Sequence, residues 1–360
     1  MKHHIDFITQ STWRLSWANE KPIAPVVRLL PWNAIGGYHS DAMQGWELRE
    51  NHLVLLDGND VATTVFSLIE FDAEGPARLI GRTRTASEPG AMLVLTRIKM
   101  PSGIDAGQRS RQILPDFLRS PDQHKSSRNR NLVVLRANEN SLHTQWARNI
   151  APEDRSWDLC ISWYGKSVSA ELECEYLTFQ PEDRKYGAIH ALFLDGSPLW
   201  DYDRIWFPDD DLMTSWVDIN RLFRLFKRHD LLLAQPSLLA NHIPVTHLVT
   251  RHNPTFSLRY SRFVEGMCPL FAKEAFRICH PSLNGSVYGW GVDVVWPGLL
   301  GNPATKMAVI DDVTVEHTRP LGKEYDMAQA QRENDALCAL YGARYDFSDC
   351  GGLLKDRGER

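Results

Sequence analysis

The apolar positions of the first hundred residues fall in short runs separated by Asp, Asn, Gly and Pro. Runs of this kind, with turns such as Asp57–Asp60 between them, are typical of β-strands. We expect strands at residues 46–48, 53–56, 62–69, 77–80 and 92–96. Residues 1–105 are therefore predicted to form a small β-rich accessory module, either sandwich-like or a meander, whose role the sequence leaves open.

The pattern changes after this module. Residues 106–128 are polar, which is typical of a linker, and we expect a short helix near 111–118. Beyond the linker, strand-like and helical patterns alternate. This alternation predicts an α/β domain over residues 129–322, with a mostly parallel sheet and flanking helices. A C-terminal helix and tail are expected over 323–360.

Three adjacent carboxylates follow the strand predicted at 202–207, which Pro208 ends. Asp209, Asp210 and Asp211 would project from the carboxyl end of that strand, where open α/β sheets bind ligands. Such a cluster is repulsive unless protons or a cation neutralise it. Its oxygens suit Mg²⁺ or Mn²⁺ when a substrate diphosphate completes the coordination. The alternative is that Asp210 or Asp211 caps the amphipathic helix that follows.

Two later segments carry further candidate groups. Glu265 lies inside the apolar stretch 263–271, where a carboxylate must be paired, metal-bound or functional because burying it alone is costly. Its alternative is a salt bridge to Arg259 or Arg262. Gly289, Trp290 and Gly291 allow a close backbone approach and lead to Asp293, whose alternative role is a helix cap.

A late histidine completes the candidate set. His317 ends a strand pair predicted over 307–312 and 313–317. A lone histidine is usually structural, but one at a strand end in a chain with an acidic triplet is a reasonable metal ligand.

Composition excludes several classes of function. The net charge of −5 argues against a broad nucleic-acid interface. No stretch approaches the roughly 20 apolar residues of a membrane span, and the start of the chain has no apolar signal core. The six cysteines include no Cys-x-x-Cys pair, so we expect reduced thiols in a cytoplasmic protein. The Gly-x-Gly-x-x-Gly and P-loop fingerprints are both absent.

Together, the Asp-x-Asp motif at 209–211, the segment 289–293 and His317 resemble the GT-A-fold glycosyltransferases. The order of segments 202–212, 263–271, 289–293 and 317–320 resembles an uncharacterised domain family of plants and bacteria. Some plant members of that family are labelled lysine-ketoglutarate-reductase trans-splicing-related. The resemblance covers residues 130–322 and leaves the β-rich module outside it.

The resemblance implies a role for each candidate. Asp209, Asp211 and His317 would hold Mn²⁺ or Mg²⁺ on a donor diphosphate, and Asp210 would touch the donor sugar or ribose. Asp293 would be the general base, although Val294 stands where the family often has a second acid.

Other residues follow from the same resemblance. Glu265 is the rival base. The strand 131–137 would meet the nucleotide base, which makes Asn131, Arg136 and Ala137 donor-binding candidates. Arg262 is a further donor-binding candidate. The acceptor-binding candidates are Gly289, Trp290 and Gly291.

We therefore expect a cytoplasmic, metal-dependent, inverting glycosyltransferase of surface polysaccharide synthesis. It would move a sugar from a nucleotide-sugar donor to a glycan, lipid-linked or other hydroxyl acceptor. One alternative is a non-catalytic GT-A-like protein that binds carbohydrate or nucleotide. Another is a metal-dependent phosphotransferase or hydrolase that uses the same acidic cluster.

Overall fold

A computed structural model of the protein describes residues 1–38, 40–85, 87, 89–98, 113–121, 129–146, 150–166, 173–241, 243–320 and 326–355. The chain divides into two compact units. The first comprises Met1–Pro101, Val294–Pro303 and Leu337–Arg344, and the second comprises Ser102–Asp293, Ala304–Ala336 and Tyr345–Arg360. Most of the predicted linker lies outside the described residues, and no helix is present in the described part, 113–121.

The first unit begins with helix α1 (Ile5–Gln10) and contains an eight-stranded antiparallel sheet in the order β3-β2-β1-β8-β7-β6-β5-β4. Alternate residues along the strands bury a core that includes Trp13, Leu55, Phe66 and Leu79. The strands are β1 (Thr12–Trp17), β2 (Pro22–Leu29), β3 (Ile35–Gly36), β4 (Gly45–Arg49), β5 (His52–Leu56), β6 (Ala62–Asp72), β7 (Gly75–Thr83) and β8 (Met92–Ile98).

The five strands expected from the sequence correspond to β4 to β8, whereas β1 and β2 were not predicted. Strand β2 contains Pro22 and Pro25, residues that ordinarily argue against a strand, and this explains why its pattern is obscured. Hydrogen bonding is continuous through all eight strands of this sheet, in which the first strand, β1, pairs with the last, β8.

A segment from the second half of the sequence belongs to the first unit. The backbone N–H of Gly37 donates to the carbonyl oxygen of Gly298 at 2.6 Å. A Cβ on Gly36 would lie 2.2 Å from the carbonyl oxygen of Leu299, so only glycine fits there. The sequence pattern had assigned residues 294–303 to the α/β domain.

The second unit contains a mixed sheet in the order β11-β10-β9-β12-β16-β14-β17-β15-β18, with β13 paired to β17. The pairs from β11 to β12, and the pair β14–β17, are parallel, while β16, β15, β13 and β18 pair antiparallel. The strands are β9 (Asn131–Ala137), β10 (Asp158–Trp163), β11 (Tyr176–Phe179), β12 (Arg204–Trp206), β13 (Leu212–Met213), β14 (Leu233–Leu239), β15 (Phe256–Ser261), β16 (Leu270–Ala272), β17 (Met307–His317) and β18 (Asp349–Leu354).

The sheet is therefore mixed rather than mostly parallel: four of its nine strand pairs in the described residues are parallel and five are antiparallel. Helix α2 (His143–Trp146) lies between β9 and β10, and α3 (Lys185–Leu192) lies between β11 and β12, but β16 enters the sheet between β12 and β14 in the opposite direction. The two short strands expected at 307–312 and 313–317 are one continuous strand, β17.

The helices after α1 are α2 (His143–Trp146), α3 (Lys185–Leu192), α4 (Trp216–Arg228), α5 (Lys273–Cys279), α6 (Val292–Leu299) and α7 (Met327–Tyr341). Helix α4 begins where Ser215 accepts a hydrogen bond from the backbone N–H of Asp218 at 3.2 Å. Its apolar face buries Ile219 and Phe223 in the core of the second unit. Because Ser215 caps this helix, the interpretation of Asp210 or Asp211 as its cap is wrong.

Candidate active site

Asp211 and His317 are brought together by the pairing of β13 with β17, in which Leu212 lies opposite His317. The Nε2 atom of His317 lies 3.0 Å from Oδ2 of Asp211. Asp211 is only 7% exposed, and its Oδ1 atom has no hydrogen-bond partner among the described residues. Burial alone would lower the pKa of His317, but the adjacent Asp211 carboxylate outweighs it and the pKa is raised.

Asp209 faces an ammonium group that the sequence did not indicate. The Nζ atom of Lys185, at the start of α3, lies 2.6 Å from Oδ1 of Asp209. The same ammonium donates to the carbonyl oxygens of Gly266 at 2.9 Å and Met267 at 2.8 Å. Burial and the nearby Asp211 raise the pKa of Asp209, while Lys185 opposes this shift. The acidic triplet therefore has a fixed positive charge on one side.

Asp210 has different surroundings from its two neighbours. Its carboxylate accepts hydrogen bonds from the hydroxyls of Ser141 and Tyr164, the latter at 3.3 Å. Arg319 donates to its other oxygen at 2.9 Å. Both oxygens thus have protein partners, and Asp210 ties the start of α2 and the end of β10 to the segment after β17. Arg319 belongs to the segment 317–320 that carries the family resemblance, but the sequence did not indicate it as a site residue.

Glu265 is buried, with 7% of its surface exposed. Thr250 donates to its Oε2 at 3.2 Å. Burial, followed by the nearby Asp293 carboxylate, raises the pKa of Glu265 to about 7. The two arginines expected as its salt-bridge partners bind elsewhere: Arg259 pairs with Asp311 at 2.7 Å and Arg262 with Asp346 at 3.4 Å. The salt-bridge alternative for Glu265 is therefore wrong.

Asp293 lies in the first turn of α6, and its Oδ2 accepts a hydrogen bond from the backbone N–H of Gly266 at 3.1 Å. The carbonyl oxygen of the same Gly266 accepts hydrogen bonds from Lys185 and, at 2.5 Å, from the hydroxyl of Tyr186. Asp293 and Asp209 thus lie on two sides of one turn. The structure brings Asp209, Asp211, Glu265, Asp293 and His317 into one neighbourhood.

The glycines around Trp290 approach the protein's own residues closely. Gly289 has φ +79°, and a Cβ there would lie 2.5 Å from the ring of Tyr186. Gly291 has φ +88°, and its Cβ would lie 3.0 Å from the Cα of Asn334. These positions need glycine to hold the loop against Tyr186 and Asn334. Trp290 between them is partly exposed.

The predicted donor-binding residues are more scattered. Ala137 is buried at the carboxyl end of β9, and the guanidinium of Arg136 lies 4.8 Å over the ring of Tyr164, which contacts Asp210. Asn131 starts the same strand and is therefore about 20 Å away from that end. Arg262 is paired with Asp346. The structure does not bring Asn131 to the carboxylates.

A divalent cation fits part of this arrangement. Among the described residues, no three His, Cys, Asp or Glu side chains converge as a ready-made metal site. Asp211 nevertheless holds a buried oxygen without a partner beside His317. Cations such as Mg²⁺ are commonly bound through one or two carboxylates together with substrate phosphates. Asp211 and His317 therefore suit a cation whose remaining ligands come from a diphosphate.

No protein-family profile and no curated protein matches the sequence. The structure is similar to residues 1–349 of S. aureus TarS in complex with UDP-GlcNAc, with 10% identity and a TM-score of 0.39, over 60% of this chain and 68% of that one. It is also similar to glucosyl-3-phosphoglycerate synthase from Mycobacterium tuberculosis in complex with Mn²⁺, UDP-glucose and phosphoglyceric acid. That similarity has 14% identity and a TM-score of 0.39, over 65% of this chain and 90% of that one.

Every helix within the described residues is too short or too polar to cross a membrane.

Proposed function

We propose that this protein is a metal-dependent, inverting glycosyltransferase that moves a sugar from a nucleotide-sugar donor to a hydroxyl acceptor. The observation that carries this proposal is the buried Oδ1 of Asp211 beside His317, which has no hydrogen-bond partner in the part of the chain that the structure describes. Leaving such an atom unsatisfied costs free energy, on the order of 1–3 kcal/mol. That cost is understandable if a cation bound with the substrate supplies the missing partner.

The charges around this oxygen suit a leaving group that carries two phosphates. Asp211 and His317 would hold Mn²⁺ or Mg²⁺. When bound, such a cation stabilises the negative charge on a departing nucleoside diphosphate. The ammonium of Lys185, 2.6 Å from Asp209, adds a second positive group in the same neighbourhood. Asp209 orients that ammonium through their ion pair.

The carboxylates on the other side of Gly266 suit the acceptor. In this proposal Asp293 accepts the proton of the attacking hydroxyl, a role that contributes roughly 10²–10⁴-fold to the rate. One base and one stabilised leaving group fit inversion. Trp290, between Gly289 and Gly291, offers a partly exposed aromatic ring to an acceptor sugar. Glu265, whose pKa is about 7, is the second candidate base.

The biological setting is part of the proposal: synthesis of surface polysaccharide on a glycan or lipid-linked acceptor, in the cytoplasm. It rests on the resemblance of the Asp-x-Asp motif at 209–211, the segment 289–293 and His317 to GT-A-fold glycosyltransferases.

Calorimetry with UDP, GDP, CDP and dTDP tests the donor site, each nucleotide in Mn²⁺ and in EDTA. We expect at least one to bind tenfold or more tightly in Mn²⁺, and Asp211→Asn to remove this difference. Asp203→Asn is the matched control, because Asp203 lies at the opposite end of β12 in a surface ion pair with Arg130 at 3.0 Å. Equal affinity in both solutions would exclude the metal role, and no binding by any nucleotide would exclude the donor site.

The ion pair of Lys185 and Asp209 favours a second candidate function, nucleotide binding without sugar transfer. An ammonium group attracts a diphosphate without a metal ion. Binding that persists in EDTA, falls in Lys185→Met and leads to no turnover would support this alternative. Hydrolysis of nucleotide sugars with no acceptor present would instead indicate a metal-dependent hydrolase.

A further inference from the structure

A buried carboxylate from helix α7 holds the loop that precedes Trp290. Glu333 is 6% exposed. Its Oε1 accepts hydrogen bonds from the hydroxyl of Ser286 at 2.7 Å and the backbone N–H of Gly289 at 3.0 Å. Its Oε2 accepts from the backbone N–H groups of Val287 and Tyr288, both at 3.0 Å. Hydrogen bonds to an ionised carboxylate are about twice as strong as neutral ones, so one side chain fixes three consecutive amides.

Two other residues of α7 also contact this loop. The hydroxyl of Tyr288 donates to Oε1 of Gln329 at 2.6 Å, one helical turn before Glu333. Gly291 lies against Asn334, which directly follows Glu333. Glu333 is the charged group at the centre of these contacts, and it reaches the loop backbone rather than its side chains alone.

The loop in turn contacts the candidate active site. Gly289 lies against the ring of Tyr186, whose hydroxyl donates to the carbonyl oxygen of Gly266 at 2.5 Å. The backbone N–H of Gly266 donates to Asp293. A displacement of the loop would therefore be transmitted through Tyr186 and Gly266 to Asp293.

We propose that Glu333 is a positioning residue that fixes loop 286–291 and thereby holds Asp293 at Gly266. The expected loss of transfer rate rests on the proposed function, whereas the fixing of loop 286–291 does not. A base that is displaced by a fraction of an ångström loses rate because the near-attack geometry is populated less often. In the proposed function the donor binds at Asp211 and His317, which Glu333 does not contact in the described structure. Donor affinity should therefore change little when Glu333 is substituted.

Glu333→Gln tests the structural step with little change in volume, because the amide nitrogen of glutamine would face N–H donors. We expect the amides of residues 287–289 to exchange hydrogen at least tenfold faster, with the amides of α4 unchanged. Asp335→Asn on the same helix is the matched control, because Asp335 is exposed and bonds only Gln331 and Asn334 in the hydrogen bonds of the described residues. Unchanged exchange at 287–289 in Glu333→Gln would overturn the proposal.

The kinetic step is measured as release of nucleoside diphosphate from sugars of whichever nucleotide binds in calorimetry. We expect Glu333→Gln to lower kcat by 10- to 100-fold, with donor KM and nucleotide affinity within twofold of the wild type. Glu333→Asp, which keeps the charge, should restore part of the lost kcat. An equal loss of kcat and of nucleotide affinity would indicate a general structural role and overturn the positioning role.

The folded state of the variants is part of the test. If Glu333→Gln unfolds, Glu333→Asp is used for the same exchange measurement, and unfolding of both variants would overturn the proposal in favour of a purely structural residue. If the wild type binds nucleotide but shows no turnover, the proposed function fails on its own. The exchange of amides 287–289 then still decides whether Glu333 fixes the loop.

Discussion

Asp210 and Asp211 are neighbours in the chain, yet only Asp211 has a carboxylate oxygen without a partner. The Oδ1 of Asp211 has no hydrogen-bond partner among the described residues, while Asp210 accepts hydrogen bonds from Ser141, Tyr164 and Arg319 on its two oxygens. Asp211 therefore has one oxygen that protein groups of the described residues leave unsatisfied, whereas both oxygens of Asp210 are satisfied. Their substitutions should therefore affect different properties.

Asp210→Asn should lower the free energy of unfolding by roughly 1–3 kcal/mol, because it weakens a hydrogen bond to the charged Arg319 and alters those from two hydroxyls. Asp211→Asn should lower it by less, since it weakens only the ion pairs of Oδ2 with His317 at 3.0 Å and, at the longer distance of 3.7 Å, with Arg319. Urea unfolding of both variants checks this difference. A larger loss for Asp211→Asn would show that its partnerless oxygen is satisfied in solution by a structural group.

Asp293→Asn should reduce the rate of sugar transfer by about 10²–10⁴-fold while leaving donor affinity nearly unchanged, because a general base acts in the transition state. Steady-state kinetics and nucleotide calorimetry on the same variant measure the two effects. Glu265→Gln is the comparison: if it alone abolishes turnover, the base is Glu265. Loss of donor affinity in Asp293→Asn would place this carboxylate on the donor side.

The raised pKa of Glu265 makes stability depend on pH. Its pKa is about 7 in the folded protein against 4.5 as the reference value, so the folded state binds the proton more tightly. The free energy of unfolding therefore falls as the pH rises from about 4.5 to 7. Glu265→Gln removes this penalty, and its stability relative to the wild type should rise over that window by on the order of 3 kcal/mol.

Urea unfolding at pH 5 and pH 8 measures the Glu265 effect. Glu175→Gln serves as the control, because Glu175 is an acid of the same type that pairs with Arg155. A pH-independent difference between Glu265→Gln and the wild type would mean that Glu265 titrates near its ordinary value.

A chain that begins at residue 129 should fail to unfold in one cooperative transition. It would lack residues 1–101, with which residues 294–303 form one compact unit. The hydrogen bond from Gly37 to Gly298 would be lost. Co-expression with residues 1–128 should restore a single transition in urea, monitored by tryptophan fluorescence. An unfolding midpoint equal to that of the full chain would show that residues 294–303 need no partner from the first hundred.

The sequence was informative about the acidic triplet because strand patterning and Pro208 locate it at a strand end. It did not distinguish the three aspartates, since identical side chains receive different partners only from tertiary structure. Lys185 could not be found in this way, because it reaches Asp209 from the start of α3, 24 residues earlier in the chain, through a contact that exists only in the tertiary structure. Glu333 reaches its loop from α7, more than 40 residues away in the chain.

The fold was predictable where neighbouring strands are also consecutive in sequence. Strands β4 to β8 pair in order along the chain, and their alternating patterns were visible. Strand direction in the second sheet was not predictable, because β16 pairs with β12 and β14 through contacts that no local pattern specifies. The short Asn131 side chain illustrates the same limit: it belongs to the expected strand but lies at the opposite end from the carboxylates.

The membership of residues 294–303 in the first unit affects the order in which the protein folds during synthesis. The hairpins β4 to β8 close short loops and should form early. Leu337–Arg344 completes their unit last, and even Val294–Pro303 is made only after a further interval of nearly 200 residues. At 5–20 residues per second, that interval lasts about 10–40 s. During translation the eight-stranded sheet must therefore persist without residues 294–303. In that period a chaperone has more exposed apolar surface to protect than after release.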